Sequence, residues 1–260
     1  MKRSIQRALR SLHLAFLKQG LPEKLALYFH ALEPEDHDAF SGMVNAVRAA
    51  GYRFVSLEEH LEKAGPTAFI SFDDNYRSWH RSLPLFDRLG VKAMFYVNSG
   101  PMQDRSSRAE QNAFFDIINH HGERETMTTA ELRELSAAGH AIGCHTHTHR
   151  CLTRLSVSEA EEEIKRSRDE LQLMLGEPVV HFSFPFGMPR HFNSSLGQYC
   201  RAIGLQTVAH ATACQLFRRP EPSHIPRHQW RLEQSAEWNL ANACIDGRLF
   251  VRLTGRSPVG

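Results

Sequence analysis

The sequence has no excess of either charge, no paired-cysteine motif and no long apolar run, and each absence removes a class of function. Lysine and arginine total 31 against 29 aspartates and glutamates, a formal charge of +2, so composition gives no footprint for nucleic acid. The five cysteines, Cys144, Cys151, Cys200, Cys214 and Cys244, are odd in number and form no C-x-x-C pair, which argues against a disulfide framework or a zinc ribbon and fits a reducing compartment. No stretch reaches the roughly 18 apolar residues of a membrane span. Arg10, His13 and Lys18 interrupt any apolar core of a secretory signal, so a cytoplasmic protein is expected. No Gly-x-Gly-x-x-Gly or Walker loop opens a helix, which excludes the usual nucleotide cradles. Internal repeats are absent too. What remains is 260 residues, 42% hydrophobic and 23% charged, with sixteen histidines. That is a folded, enzyme-sized chain rich in the commonest metal ligand and proton carrier.

Residues 1–24 carry six basic side chains and one acid, with Ile5, Leu9, Leu12 and Phe16 spaced along one helical face. They predict a basic amphipathic helix docked on its own domain, with peripheral contact to an anionic membrane surface as the alternative. Residues 25–247 form the main domain. Residues 248–260, with Arg248, Arg252 and Arg256 and no acid, read as a fraying tail.

Within the main domain, apolar strand runs alternate with helical periodicity. Leu25–Leu32, Phe54–Leu57, Ala68–Phe72, Val91–Val97, His140–His145, Val179–Phe184, Leu205–Ala209 and Ile225 are the predicted strands, and Phe40, Met43, Val44 and Val47 mark one helix among several. Thr128 with Glu131 and Ser156 with Glu159 are capping boxes, and Gly139 and Gly176 end the helices they start. About seven strand–helix repeats predict a parallel α/β fold, either an open sheet or a closed barrel. Ser99–Met127 is polar and weakly periodic, an insertion loop with a short helix near Phe114–Ile118 and a position suited to lining a crevice.

Three strand ends hold candidate chemistry. Asp73 and Asp74 follow Ala68–Phe72; two carboxylates there could divide into a cation ligand and a free base, or simply cap a helix. His145, His147 and His149 follow the His140 strand; imidazoles at these spacings could converge on a metal, or decorate a surface turn. Two imidazoles and one carboxylate, as Asp74, His145 and His149 would supply, leave coordination positions open, as hydrolytic metal sites do. Phe182-Ser183-Phe184-Pro185-Phe186-Gly187 reads as core plus a turn. Arg227, after Ile225-Pro226, could orient a carboxylate bidentately or lie on the surface.

The ordered set Tyr28-Phe29-His30, Ser71-Phe72-Asp73-Asp74, His145-Thr146-His147-Thr148-His149, Phe184-Pro185-Phe186-Gly187 and Ile225-Pro226-Arg227 resembles the NodB-type polysaccharide deacetylases, carbohydrate esterase family four. The stretches Gly51–Leu57, Leu132–His149 and Leu152–Gly187 resemble the branch that acts on poly-N-acetylglucosamine. The resemblance spans roughly residues 25–228 and implies a distorted (β/α)7 barrel. It also implies one divalent metal on Asp74, His145 and His149, with His147 not binding. Zinc is the first candidate, with cobalt, nickel, manganese or iron as others. Asp73 would be the general base, and a backbone N–H near Pro185 and Phe186 would bind the substrate oxyanion. The implied reaction releases acetate and a free amine from an N-acetylated amino sugar. The late Leu-x-His motif that supplies the general acid in many members is missing; His224 and His228 stand nearby, and His30, in the tyrosine-x-histidine position, is assigned the role. Arg227 would orient Asp73.

Three features depart from the family pattern. Asn75 replaces the usual glycine after the acidic pair, which left-handed geometry at Asn can accommodate. Phe184 and Phe186 stand where tyrosines are common. An unexported enzyme suits a nucleotide-linked, lipid-linked or short oligosaccharide substrate. The alternatives are removal of another acyl group, such as formyl, on the same fold, and a catalytically silent glycan-binding protein.

Overall fold

The computed structural model describes residues 20–212 and 221–244. The predicted helix of residues 1–24 falls almost wholly outside them, as do Cys214 and the tail 248–260. Among the described residues nine strands lie in one sheet: β1 (Lys24–Phe29), β2 (Arg53–Phe54), β3 (Thr67–Asp74), β4 (Ala93–Val97), β5 (Ala141–Cys144), β6 (His181–Ser183), β7 (Thr207–His210), β8 (Ile225–Pro226) and β9 (His228–Gln229). The α-helices are α1 (His37–Ala49), α2 (Leu57–Glu62), α3 (Ser78–Arg81), α4 (Leu83–Leu89), α5 (Arg108–Ile117), α6 (Thr129–Ala137), α7 (Val157–Leu175), α8 (Ser194–Ala202) and α9 (Ala236–Ala243).

The strand order is β8-β7-β6-β5-β4-β3-β1-β9, with β2 paired to β3, and every pairing is parallel. Strands β8 and β9 are two halves of one segment broken at Arg227. The first half pairs with β7 through Ile225 and Ala209, and the second pairs with β1 through His228 and Leu27. One segment thus joins both sheet edges, and seven staves close a barrel. The choice between open sheet and barrel is settled by that broken strand.

Alternation along each strand divides the core. Ala26, Phe69, Met94, Tyr96, Ala209 and Ile225 pack together in one cluster, the barrel lumen. Leu25, Leu27, Ile70, Phe72, Phe95 and Val97 belong to the larger cluster shared with the helices. Gly143 on β5 has no room for a side chain, because a Cβ there would sit 2.6 Å from the Tyr96 ring.

Two elements differ from expectation. The strand predicted over Phe54–Leu57 stops at Phe54, because the Ser56 side chain accepts from the Glu59 N–H and starts α2 at Leu57. The insertion helix is longer than predicted: a Ser107–Glu110 capping box begins α5 at Arg108. Both predicted boxes form, at α6 and α7, and Gly176 ends α7 in the left-handed region with φ 76°.

Candidate active site

At the C-terminal ends of the strands lies an open cleft of about 530 Å³, walled in part by His30, Asp73, Asp74, His145, His149 and Phe186. Parallel α/β folds place ligands at this end, where loops leave the sheet.

Asp73 continues the inward series of β3 after Phe69 and Ser71. It meets Arg227, which has no solvent exposure. Arg227 Nη1 and Nη2 donate to Asp73 Oδ1 and Oδ2 at 2.7 and 2.8 Å, and the same nitrogens reach Ser71 Oγ at 3.0 Å and Ser183 Oγ at 2.7 Å. The guanidinium lies 5.1 and 5.0 Å from the ring centres of Tyr28 and Tyr96, a double cation–π contact. Arg227 is therefore an internal clamp and not the surface residue that its motif also allowed. Burial disfavours the Asp73 charge, but the surrounding basic groups, Arg227 foremost, together hold the carboxyl below its usual range.

Strict alternation would aim Asp74 at the helices. Its φ of 89° breaks that pattern. The left-handed residue is Asp74 itself and not Asn75, the position where sequence suggested such a turn. Fully buried Asn75 instead donates to the Asn98 carbonyl at 3.1 Å and accepts from Met127 N–H at 3.0 Å, tying β3 to the insertion. Neither aspartate caps a helix, since the residue before α3 is Arg77.

Asp74 Oδ1 lies 3.5 Å from His145 Nε2 and 3.2 Å from His149 Nε2, and the three candidate ligand atoms fall within 4.8 Å of one another. His145 Nδ1 is 2.7 Å from the Ser183 carbonyl oxygen. A carbonyl can only accept, so the proton sits on Nδ1 and the Nε2 lone pair faces the carboxylate. Burial pushes the His145 imidazole down to about 4, so it is neutral near pH 7. Burial also disfavours the Asp74 charge, but the His149 contact holds that carboxyl far below its usual range. His149 Nδ1 is buried with no hydrogen-bond partner among the described residues. A buried carboxylate facing an imidazole lone pair is a donor set that fits a divalent ion. His147 turns outward to Ser99 Oγ at 3.0 Å and Glu170 at 3.1 Å.

All five described non-glycine residues with positive φ, Asp74, Asn119, Thr146, His149 and Phe186, line the cleft or belong to its histidine loop. Such backbone costs about 1–3 kcal/mol per residue and persists where surrounding contacts enforce it. His30 faces the cleft with its ring 5.7 Å from Tyr28, and its carbonyl accepts from Trp79 Nε1 at 2.7 Å. Phe186 is on the wall, its ring 4.9 Å from His149, whereas Pro185 is buried behind it. His224 Nε2 lies 3.1 Å from that of His210. Sequence reasoning missed Tyr76, whose hydroxyl donates to Asp74 Oδ2 at 3.2 Å, and the cleft residues Asn119 and His120. Tyr76 was reachable by its place two residues after Asp74. The other two had no motif.

Residues 60–208 match the family model for polysaccharide deacetylase. The chain belongs to the polysaccharide deacetylase family. The matched span holds both aspartates and the histidine loop but not His30 or Arg227, which only the closed barrel brings to them. No curated protein matches the chain. Among solved structures, Streptococcus pyogenes deacetylase PplD in complex with acetate is 19% identical, with a TM-score of 0.68 over 86% of this chain and 99% of that one. IcaB from Ammonifex degensii is also 19% identical, with 0.66 over 85% and 98%. The BpsB deacetylase domain from Bordetella bronchiseptica is 16% identical, with 0.59 over 82% and 97%. These likenesses establish the barrel. Among the described residues no helix is long and apolar enough to cross a membrane.

Proposed function

We propose that this family member hydrolyses the N-acetyl group of an amino sugar in a glycan or glycoconjugate, with a divalent ion, zinc first, held by Asp74, His145 and His149. The observation that carries this reading is the contrast between two neighbouring carboxylates in one cleft. Asp73 is clamped by Arg227, while Asp74 faces two imidazoles. Groups with such divergent surroundings take different roles.

When bound there, a divalent ion supplies Lewis-acid polarisation of the amide carbonyl and acidifies water. Asp73, kept ionised and fixed in direction by the Arg227 fork, takes the proton of the attacking water. Within the 185–187 turn, Pro185 has no N–H and the Gly187 N–H is bonded to the Phe184 carbonyl at 3.3 Å. The Phe186 amide is the remaining donor for the oxyanion. Its direction depends on the left-handed φ of Phe186 and on Gly187, where a Cβ would lie 2.3 Å from that of Ala211. His30 protonates the departing amine. Acetate and a free amine leave.

The test is calorimetric titration of zinc into metal-stripped wild type, Asp74→Ala and Asp73→Asn, with acetate release from acetylated amino sugars assayed in parallel. One tight site is expected in wild type and Asp73→Asn and none in Asp74→Ala, with acetate released only by zinc-loaded wild type. Full turnover by the stripped enzyme, or an undiminished site in Asp74→Ala, overturns the assignment.

A further inference from the structure

The cleft has a wall that the reaction above does not use, at the end of α5 in the insertion. The Asn119 N–H bonds the Asp116 carbonyl at 3.2 Å and the His120 N–H bonds the Phe115 carbonyl at 2.9 Å, with Asn119 left-handed at φ 54°. This is the double-bonded helix end whose left-handed residue reverses the chain. It delivers residues 117–120 to the cleft as a block.

Two side chains there are built for contact. Ile117 is 46% exposed, as is Phe186 on the same cleft, and they are two of only five large apolar side chains exposed among the described residues. His120 is anchored, its ring edge-on to Tyr76 at 4.9 Å and tilted on Phe115 at 5.5 Å. Its Nε2 lies 3.1 Å from the Glu123 carbonyl oxygen, which fixes the proton on Nε2 and leaves Nδ1 as an acceptor. Burial lowers the His120 basicity.

We propose that the cap of α5 is a saccharide subsite, in which Ile117 packs on the apolar face of a pyranose ring and His120 Nδ1 accepts a hydrogen bond from a sugar hydroxyl. It gives the cleft a grip on a second sugar beside the one whose acetamide is cleaved, and so a preference for oligomers over single sugars. The choice of a sugar as ligand rests on the deacetylase reading.

The test measures binding of N-acetylglucosamine and its linear trimers to the zinc-loaded Asp73→Asn protein by calorimetry, alone and with His120→Phe or Ile117→Ser added. His120→Phe keeps the ring packing and removes the acceptor; Ile117→Ser changes an exposed side chain. The trimer should bind about tenfold tighter than the monomer, and each variant should cut that ratio about threefold to fivefold, the size of one neutral hydrogen bond or a partly buried side chain. Equal affinity for monomer and trimer, or a ratio that survives both substitutions, overturns the subsite. Acetate release by the Asp73-intact protein is followed separately. Its absence with the trimer preference intact removes the hydrolytic reading and supports the subsite.

Discussion

Arg227 is the residue on which most of the cleft depends. It occupies the gap between β8 and β9, and four of its five N–H groups are placed by Asp73, Ser71 and Ser183. Removing one partner of a buried ion pair strands the other, at about 3–5 kcal/mol. Arg227→Met should lower the unfolding free energy by that order in urea denaturation. The double variant Asp73→Asn/Arg227→Met should lose less than the sum of the two single changes, because no lone charge is left inside; strict additivity would contradict the clamp. Lysine cannot replace it, since an ammonium cannot span both carboxylate oxygens. In the sequence, Pro226-Arg227 was a two-residue signal that fitted a surface position equally well. Its burial follows from β7 and β1 both needing a partner in one segment, and no local pattern encodes that.

At the scale of elements, α7 holds the histidine loop. The Glu163 carboxylate accepts from Thr148 N–H at 2.8 Å and from Thr148 Oγ1 at 2.6 Å, and its carbonyl accepts from His147 N–H at 2.9 Å. About two turns further on, Glu170 takes Ser99 Oγ at 2.7 Å and His147. These contacts hold the loop between His145 and His149, where Thr146 and His149 are left-handed. Glu163→Gln turns an acceptor into a possible donor facing an N–H, and supporting contacts of this kind are worth about tenfold or more in metal affinity. Zinc titration should show that loss, and wild-type affinity in the variant would refute the role. The start and stop of α7 were legible in Ser156, Glu159 and Gly176 because capping is a contact between near neighbours. What its buried face holds was not legible, because Glu163 and Thr148 meet only when α7 packs against the loop after β5.

For the whole molecule, burial of neutral histidines sets an acid limit. His60 accepts or donates with Thr67 Oγ1 at 3.1 Å and His140 accepts from the Ala93 N–H at 3.1 Å. Burial pushes His60 down to about 3 and His140 down to about 4. The unfolded chain takes up protons near pH 6.5 while the folded chain refuses them, so stability is full above that pH and declines as pH falls toward 4. Urea unfolding of the metal-free protein should weaken between pH 7 and pH 5; a flat profile in that window would contradict it. The sequence by itself determined the alternation of strands and helices, the helix caps and the acidic and histidine motifs, since each rests on periodicity or on neighbours a few residues apart. Only the tertiary structure decided that the sheet closes, that Asp74 turns out of register to face two histidines, that Arg227 lies inside, and that the insertion walls the cleft. Those outcomes depend on contacts between residues far apart in the chain, and the backbone angles that permit them are imposed by the packing around them.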